Sequence, residues 1–93
     1  MTAGDPYVLR LYVTGMTPRS TRAINVVREV CDQHLAGRYT LEIIDVYQQP
    51  GRISEDQVVA IPTLVKCGPS PLRRIVGDMS DRDRLLLGLG LHA

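Results

Sequence analysis

A strand–helix–strand pattern in the first half of the chain is the feature that most restricts its fold. Residues 7–13 alternate between two mainly apolar faces, which is typical of a central strand covered on both sides. Thr17 and Pro18 then supply a helix N-cap and a first helical residue, and the helical spacing of apolar residues stops at Gly37. A second strand is predicted over 39–46. Two strands joined by one helix form a right-handed βαβ unit, so we expect them to be parallel.

The second half is less decisive about its structure. Residues 54–59 predict a short helix capped by Ser54 with Gln57 as its capping-box partner, although their β-branched members favour a strand. Residues 61–65 and 72–76 predict two strands that pair as a hairpin across a turn rich in Gly and Pro. The sequence pattern therefore does not decide between a helix and a strand for residues 54–59.

A last helix is predicted to start at Ser80, with Asp81 and Asp83 in its first turn, where carboxylates favour the helix dipole. Its end is ambiguous, because residues 87–91 alternate Leu and Gly at the period of a strand. Each glycine costs about 1 kcal/mol in a helix interior. Local propensity does not choose one structure here, and we expect Gly88→Ala to favour whichever fold makes that position helical.

The predicted order β-α-β-α-β-β-α is the minimal thioredoxin-like topology, an α/β fold with a mixed sheet. In that fold the X-Pro bond that enters the third strand is usually cis, and Ile61–Pro62 is the candidate. The 93 residues make a single domain, 1–93, of which 1–6 are expected to be disordered. With no Phe and no Trp, its core must be aliphatic.

Composition excludes several function classes. Eleven Lys and Arg against ten Asp and Glu leave a formal net charge of +1, too small for a non-specific nucleic-acid binder. No signal segment and no apolar run of membrane-spanning length occurs, so we expect a cytoplasmic protein without membrane or nucleic-acid partners. Cys31 and Cys67 match neither a zinc pattern nor a disulfide framework, and Cys31 is predicted to be a buried thiol.

Catalytic patterns are also missing from the sequence. A thioredoxin enzyme would place its reactive cysteine in the stretch 15–20, which contains no thiol. His34 and His92 are predicted to be solvated residues near helix ends, and no phosphate-binding glycine loop occurs. We therefore expect no enzyme activity, no cofactor and no metal, with a redox enzyme as a remote alternative.

The basic residues are the remaining candidates for function. Ten of the eleven are arginines, which reflects either a GC-rich genome or a basic contact surface. Five of these basic residues have no catalytic partner in the sequence. Each is either a solvated surface residue or part of a surface that binds an acidic protein. They are Arg19, Arg22, Lys66, Arg73 and Arg74.

Several stretches together resemble a known family. Residues 7–20 combine a strand, Gly-x-Thr-Pro-x-Ser and a helix start, and further matching stretches are IDV at 44–46, AIPTL at 60–64, RRIVGD at 73–78, SDR at 80–82 and LGL at 87–89. The chain from about residue 7 to 91 is thereby similar to the KaiB family, small circadian-clock proteins of cyanobacteria with relatives in other bacteria and archaea.

The resemblance implies a non-enzymatic clock or timing regulator that binds the hexameric ATPase ring of KaiC and modulates its phosphorylation cycle. Further partners that it implies are KaiA and a sensor histidine kinase with a KaiB-like input domain. Family members are metamorphic. A ground-state fold, βαββααβ, forms a homo-oligomer (dimer or tetramer), and it exchanges with the monomeric thioredoxin-like fold that binds KaiC. The alternative is a KaiB paralogue that acts as a stable thioredoxin-like interaction module in signalling or stress response.

The resemblance also implies roles for individual residues. Tyr7 matches a family tyrosine associated with self-assembly, and Gly88 falls in the element that changes structure, as does the nearby Gly90. Arg22 and Lys66 fall on positions linked to partner binding, as does Arg74; Arg73 is grouped with them.

The chain departs from the family at some positions. Gly90 stands where clock members commonly carry Asp, and Glu42 and Gln57 stand where they carry Lys. The loss of two lysines bears most on KaiA, so the resemblance is also compatible with a host that has KaiC but no KaiA.

Overall fold

A computed structural model describes residues 6–77 and 79–91 of the chain. The first five residues of the expected disordered segment, together with His92, lie outside the described residues. The elements in chain order are β1 (Tyr7–Val13), α1 (Pro18–His34), β2 (Tyr39–Asp45), a 3₁₀ helix (Pro50–Glu55), β3 (Thr63–Gly68), β4 (Arg73–Val76) and α2 (Arg82–Leu89).

The four strands form one mixed sheet in the order β2-β1-β3-β4. The β1 and β2 strands are parallel, which confirms the predicted βαβ unit, whereas β3 is antiparallel to β1 and β4 is antiparallel to β3. The predicted hairpin is confirmed, with β3 displaced towards the turn relative to the predicted 61–65. The Ile61–Pro62 bond is cis, as are Gly68–Pro69 and Ser70–Pro71.

One face of the sheet carries the main core. Both α1 and α2 pack on this face, and apolar side chains from β1, β3 and β4 meet them there. The buried members are Leu9, Leu11, Val13, Ala23, Val27, Val30, Cys31, Leu35, Leu64, Ile75, Met79, Leu85 and Leu89. This main core is largely aliphatic, as predicted from the composition, and contains the predicted buried thiol of Cys31, but the fully buried Tyr12 on the opposite face is aromatic and departs from the prediction.

The opposite face is covered by the 3₁₀ helix and the chain that follows it. A second, smaller cluster of buried residues lies there: Tyr12, Ile44, Val46, Val58 and Val65. The sheet is therefore covered on both sides, which explains why β1 is apolar on both of its faces.

The start of α1 follows the predicted capping. The Thr17 hydroxyl accepts the backbone N–H of Ser20 at 3.2 Å, and Pro18 is the first helical residue. The buried Ser20 hydroxyl in turn accepts the backbone N–H of Thr14, so the turn after β1 is tied to the helix. The helix ends at His34, and Gly37 adopts a φ of +73° in the turn that follows.

The predicted helix over 54–59 is wrong. A 3₁₀ helix occupies Pro50–Glu55 instead, and the Ser54 hydroxyl donates to the Gly51 carbonyl rather than capping a helix. Gln57 has a φ of +53°, outside any helix. The physical reason is the residue between them, Asp56, whose side chain turns into the sheet face and bonds there to β1.

The N-cap of α2 is Asp81 and not Ser80. The Asp81 carboxylate accepts the backbone N–H of Arg84 at 3.1 Å, a charged acceptor that complements the helix dipole as well as the unpaired N–H. Asp83 lies in the first turn as predicted.

The ambiguous Leu–Gly stretch is helical up to Leu89. Gly90 ends the helix with a φ of +74°, and the backbone N–H groups of Gly90 and Leu91 bond back to Leu87 and Leu86. This is a Schellman-type end, which favours glycine at the left-handed position.

Gly88 lies inside α2, against the sheet. A methyl group on its Cα would come within 2.6 Å of the Ile75 side chain. This steric collision with β4 opposes the gain in helix propensity on which the expectation for alanine at this position depends, and the expectation stays a prediction.

Candidate protein-interaction surface

A groove with a basic rim lies between the β3–β4 hairpin and α2. We call it the basic groove, and its volume is about 570 Å³. Its lining residues are Lys66, Pro71, Arg73, Arg74, Ile75, Arg84, Leu87, Gly88 and Gly90. Three of the five basic residues that the sequence singled out, Lys66, Arg73 and Arg74, are brought together here, whereas Arg19 and Arg22 lie on α1.

The hairpin register sets the basic side of the groove. Lys66 pairs with Arg73 across the strands, so both side chains leave the same face of the sheet, the face that α2 covers. Arg84, Leu87 and Gly88 follow at i, i+3 and i+4 on α2, which places them on one side of the helix, towards the groove. Sheet and helix therefore each contribute cations to one concavity.

Lys66 lies at the bottom of this surface, with only 5% of its area exposed. Its ammonium nitrogen is 5.7 Å from the centre of the Tyr7 ring, within the range of a cation–π interaction. Burial, and then the charge of Arg73, lower the pKa of Lys66 below its usual value. The lysine is thus a partly desolvated positive charge in contact with an aromatic ring.

Tyr7 joins this surface to the end of α2. Its hydroxyl donates to the Leu89 carbonyl at 2.9 Å, next to the turn at Gly90. The ring of Tyr7 lies near Lys66 while its hydroxyl caps a carbonyl of the last helical turn, so one side chain links β1, β3 and α2.

Arg74 reaches the groove from the other face of the hairpin. It is paired with Val65, one register position from Lys66, and its side chain therefore leaves the opposite face of the sheet. Its Nε donates to the backbone carbonyl of Asp56 at 2.8 Å. Arg74 is thereby anchored to the segment after the 3₁₀ helix.

Arg22 is separate from this group. It lies on the exposed side of α1 and is not among the residues that line the basic groove. Arg84, by contrast, lines the groove but was missed by the sequence analysis. Arg84 lies three and four positions before Leu87 and Gly88, so the three residues share one side of a helix. This spacing would have placed Arg84 beside them once residues 82–89 were predicted to be helical.

The groove carries a net positive charge. Within 6–77 and 79–91, no carboxylate oxygen lies within 4 Å of the charged nitrogens of Lys66, Arg73, Arg74 or Arg84. Other arginines do have such partners in the described structure: Arg82, for example, pairs with Glu29 on α1.

A polar cluster on the opposite face connects the two halves of the chain. The hydroxyl of the buried Tyr12 donates to Asp56 at 2.5 Å, and Arg10 donates to the same carboxylate at 3.1 Å. Burial, together with the hydrogen bond to Asp56, raises the pKa of Tyr12 to about 12. Arg52 of the 3₁₀ helix pairs with Glu42 and Glu55 beside it. The sequence analysis did not find this cluster.

Neither thiol is activated. Burial raises the pKa of Cys31 to about 11, and it also raises the pKa of Cys67. Reactive cysteines require the opposite shift. Among residues 6–77 and 79–91 no group of three or more metal-ligating side chains comes together, and no helix in those ranges is long and apolar enough to cross a membrane.

Comparison with known proteins identifies the family. The KaiB domain family matches residues 10–91. The circadian clock oscillator protein KaiB of Prochlorococcus marinus (strain MIT 9312) is 50% identical over 91 residues, covering 98% of this chain and 87% of the relative. The chain belongs to the KaiB family. Another KaiB, from Trichodesmium erythraeum, is 48% identical over 85 residues, or 91% of this chain and 82% of its own. The resemblance stated from the motifs is thus confirmed.

Solved structures confirm the thioredoxin-like architecture. The N-terminal domain of SasA from Synechococcus elongatus superposes with a TM-score of 0.75 at 25% identity, covering 99% of this chain and 90% of that domain. Chloroplastic thioredoxin z has a TM-score of 0.71 at 17% identity, covering 94% and 79% of the two chains. The second likeness concerns the fold alone. The KaiB-family chain described here therefore has the thioredoxin-like arrangement of its two halves.

Proposed function

We propose that this KaiB-family protein is a clock or timing regulator that binds a KaiC-type hexameric ATPase through its thioredoxin-like fold and modulates the phosphorylation cycle of the ring. The observation that carries the proposal is the basic groove, which gathers Lys66, Arg73 and Arg74 without a carboxylate in the described structure. The KaiB-family relatives of the chain include circadian clock oscillator proteins, which supports a role in timing.

The groove suits an acidic protein surface. Arginine guanidinium groups bind carboxylates through paired hydrogen bonds, and the exposed Arg73 and Arg74 offer two such groups. Lys66 is already largely desolvated, so a partner carboxylate that reaches it gains an electrostatic interaction without a large further desolvation of the lysine. The exposed Leu72 and Leu87, 50% and 66% accessible, add apolar contact area beside these charges.

Selection of this fold by the ring is the proposed mechanism. A partner that binds only the thioredoxin-like arrangement shifts the population towards it by the difference in its affinity for the two folds. Arg22 on α1 is proposed to extend the contact beyond the basic groove. The likeness of the fold to the SasA N-terminal domain supports competition for one ring surface between this protein and a second protein that carries a domain of this fold. The histidine kinase that the resemblance implies is the proposed competitor.

Self-assembly is proposed for the ground-state fold, as a dimer or tetramer, with the monomer as the form that binds the ring. Tyr7 would take part in it. In the thioredoxin-like structure its hydroxyl is already occupied by the Leu89 carbonyl. Rearrangement of α2, including Gly88 and Gly90, would release that hydroxyl for contacts between subunits. KaiA is a further partner where the host has it.

A second candidate function is supported by Gly90. Its left-handed conformation ends α2, and glycine is the residue that adopts this conformation most readily. A glycine here stabilises the thioredoxin-like fold, which favours a stable interaction module in signalling or stress response over a fold-switching clock component.

Binding to a KaiC ring in the presence of ATP tests the first proposal. We expect Arg73→Glu and Arg74→Glu each to weaken the association at least about tenfold, because a charge in a desolvated contact is reversed. Arg38→Glu is the matched control. Arg38 precedes β2 at the other edge of the sheet, and its side chain bonds only to the His34 carbonyl in the described structure. Equal affinity of all three variants and the unaltered protein would exclude the basic groove as the contact. A single set of amide resonances with and without the ring would favour the stable module.

A further inference from the structure

The buried Asp56 and the exposed Arg74 are joined by a hydrogen bond, although 18 positions separate them in the chain. We infer that Asp56 is a positioning residue for partner binding: it orients the Arg74 guanidinium so that the two terminal nitrogens meet a carboxylate of the partner. This inference rests on the proposed function and deepens it, because it names the atoms of the contact and the residue that sets their direction.

One nitrogen of Arg74 is used inside the molecule. Its Nε donates to the backbone carbonyl of Asp56 at 2.8 Å, an ordinary length for an N–H···O bond. The guanidinium group is planar, so this bond also fixes the direction of the donors on its two Nη atoms. Within residues 6–77 and 79–91, no carboxylate oxygen lies within 4 Å of these nitrogens. The Nη pair of this exposed side chain can therefore bind a partner carboxylate end-on.

The carbonyl of Asp56 is held in place by the side chain of the same residue. Its carboxylate accepts the Tyr12 hydroxyl at 2.5 Å and Nη1 of Arg10 at 3.1 Å, and both donors belong to β1, an inner strand of the sheet. The same hydroxyl lies 3.0 Å from the Arg52 carbonyl, in the 3₁₀ helix before Asp56. Hydrogen bonds to a charged acceptor are the strong ones. The orientation of Arg74 is therefore coupled to β1 through Asp56.

Local backbone preference does not explain the position of this carbonyl. The next residue, Gln57, has a φ of +53°, in the left-handed region that residues other than glycine adopt at a cost. Such a conformation persists where surrounding contacts hold it. Here they are the Asp56 side-chain bonds and the bond from the Val58 N–H to the Ile53 carbonyl at 3.1 Å. Weaker Asp56 contacts should let the turn relax and move the acceptor of Arg74.

Hydrogen exchange at the Arg74 side chain tests the positioning without any partner. Its Nε–H resonance is observed by NMR and assigned through its absence in Arg74→Lys. We expect Tyr12→Phe, which removes one donor to Asp56, to accelerate the exchange of this hydrogen with water at least about threefold.

Tyr39→Phe is the matched control. Tyr39 also donates to an aspartate, Asp32, at 2.6 Å, but it begins β2, at the edge of the sheet opposite to β4. The two variants thus lose the same group from the same kind of bond. Exchange at the Arg74 Nε–H should stay within about 1.5-fold of the unaltered protein in Tyr39→Phe.

Binding to the ring in the presence of ATP tests what the positioning does. We expect Tyr12→Phe to weaken the affinity about threefold, and Arg74→Lys about fivefold because an ammonium lacks the planar fork. The two losses should not multiply. In the Arg74→Lys background, Tyr12→Phe should change the affinity by less than about 1.5-fold, because the group that Asp56 positions is gone. Asp56→Asn repeats the cycle for the carboxylate itself; if this variant does not fold, Tyr12→Phe decides.

Three results would overturn the inference. They are an unchanged exchange of the Arg74 Nε–H in Tyr12→Phe, an equal acceleration in Tyr12→Phe and Tyr39→Phe, and losses of ring affinity that multiply in the double variant, as a purely structural role of Asp56 requires. If the unaltered protein does not bind the ring, the proposed function fails, and the exchange measurement alone decides whether Asp56 orients Arg74. If the ring is bound and the losses multiply, the proposed function stands and this inference fails.

Discussion

In the first half of the chain, β1 and β2 pair along their whole lengths and α1 covers them with a continuous apolar side. The second half is attached differently. The β3 strand pairs with β1, and β3, β4 and α2 contribute Leu64, Ile75 and Leu85 to the same apolar core. The segments on either side of these strands are in addition held by individual polar contacts, which include Asp56 with Tyr12 and Leu89 with Tyr7. Apolar packing is distributed over many residues, whereas a hydrogen bond can be lost at one atom. We therefore expect the second half to be more sensitive than the βαβ unit to the loss of a single contact, and four measurements test this expectation.

Removal of the Asp56 carboxylate should have the largest effect. Asp56→Ala removes the carboxylate that accepts from both the buried Tyr12 hydroxyl and Arg10. Tyr12 keeps only the Arg52 carbonyl, and Arg10 keeps the more distant Glu42 and Glu55. We expect the free energy of unfolding to fall by about 3 kcal/mol. Urea unfolding followed by circular dichroism measures this loss.

The first half provides the matched control for Asp56. Asp32 also accepts a tyrosine hydroxyl, that of Tyr39, but the contact is exposed. We expect Asp32→Ala to change the stability by no more than about 0.5 kcal/mol. If both variants lost equal stability, polar anchoring would not distinguish the two halves.

Alkaline pH should weaken the same attachment. The pKa of Tyr12 is raised to about 12, so the folded protein holds the phenol proton more tightly than the unfolded chain. Its contribution to stability is complete below about pH 10 and is lost as the pH rises towards 12, amounting to about 2 kcal/mol.

The tyrosine variants separate this effect from that of Tyr39, whose pKa is also raised to about 12 by its bond to Asp32. Tyr12→Phe should reduce the pH dependence of unfolding between pH 10 and 12, and amide exchange should show that residues 50–59 are affected first. A pH dependence that is unchanged in Tyr12→Phe and abolished in Tyr39→Phe would assign the alkaline transition to the first half.

A methyl group at Gly88 tests the packing of α2 against β4. Its collision with Ile75 costs about 1–3 kcal/mol, and the better helix propensity of alanine returns up to about 1 kcal/mol. We expect Gly88→Ala to lower the stability of the thioredoxin-like fold by about 1 kcal/mol net, measured by urea unfolding with NMR to detect a second population.

Gly51→Ala serves as the control, because no heavy atom lies within 4 Å of the added methyl group. Gly51→Ala should leave the free energy of unfolding nearly unchanged. A stabilising effect of Gly88→Ala would show that Ile75 moves aside at little cost, and that helix propensity decides at this position.

The smallest effect is expected for Tyr7→Phe. The variant removes the hydroxyl that binds the Leu89 carbonyl but keeps the ring near Lys66, so stability should fall by about 0.5–1 kcal/mol. Hydrogen exchange at Gly90 and Leu91 should accelerate. Tyr47→Phe, with a side chain that is 76% exposed, should leave these amides unchanged. Faster amide exchange in both variants would indicate a general loss of stability, and not a local effect of the bond between Tyr7 and Leu89.

The sequence predicted the first half well because its signals are local. The apolar alternation of β1, the Thr17–Pro18 helix start and the spacing along α1 all act within a few residues of each other. The prediction over 54–59 failed because Asp56 is held by β1, which lies more than forty positions earlier. No pattern within the segment contains that bond.

The residues of the basic groove also divide into those that local sequence could predict and those that it could not. Lys66 and Arg73 could be grouped because a hairpin places residues on either side of its turn in register. Arg84 joins them only when α2 packs on β4, and this depends on the absence of a side chain at Gly88. Sequence analysis therefore found the half of the groove built by local pairing and missed the half built by docking.

The contact of Tyr7 with Leu89 has an optical consequence. The chain contains four tyrosines and neither Phe nor Trp, so its near-ultraviolet signal comes mainly from these four rings. Within residues 6–77 and 79–91, Tyr7 is the one tyrosine whose side chain forms a hydrogen bond to α2. Its absorption and emission thus form a built-in reporter of whether the last helix is docked, and the difference spectrum between the unaltered protein and Tyr7→Phe would isolate that signal without any attached dye.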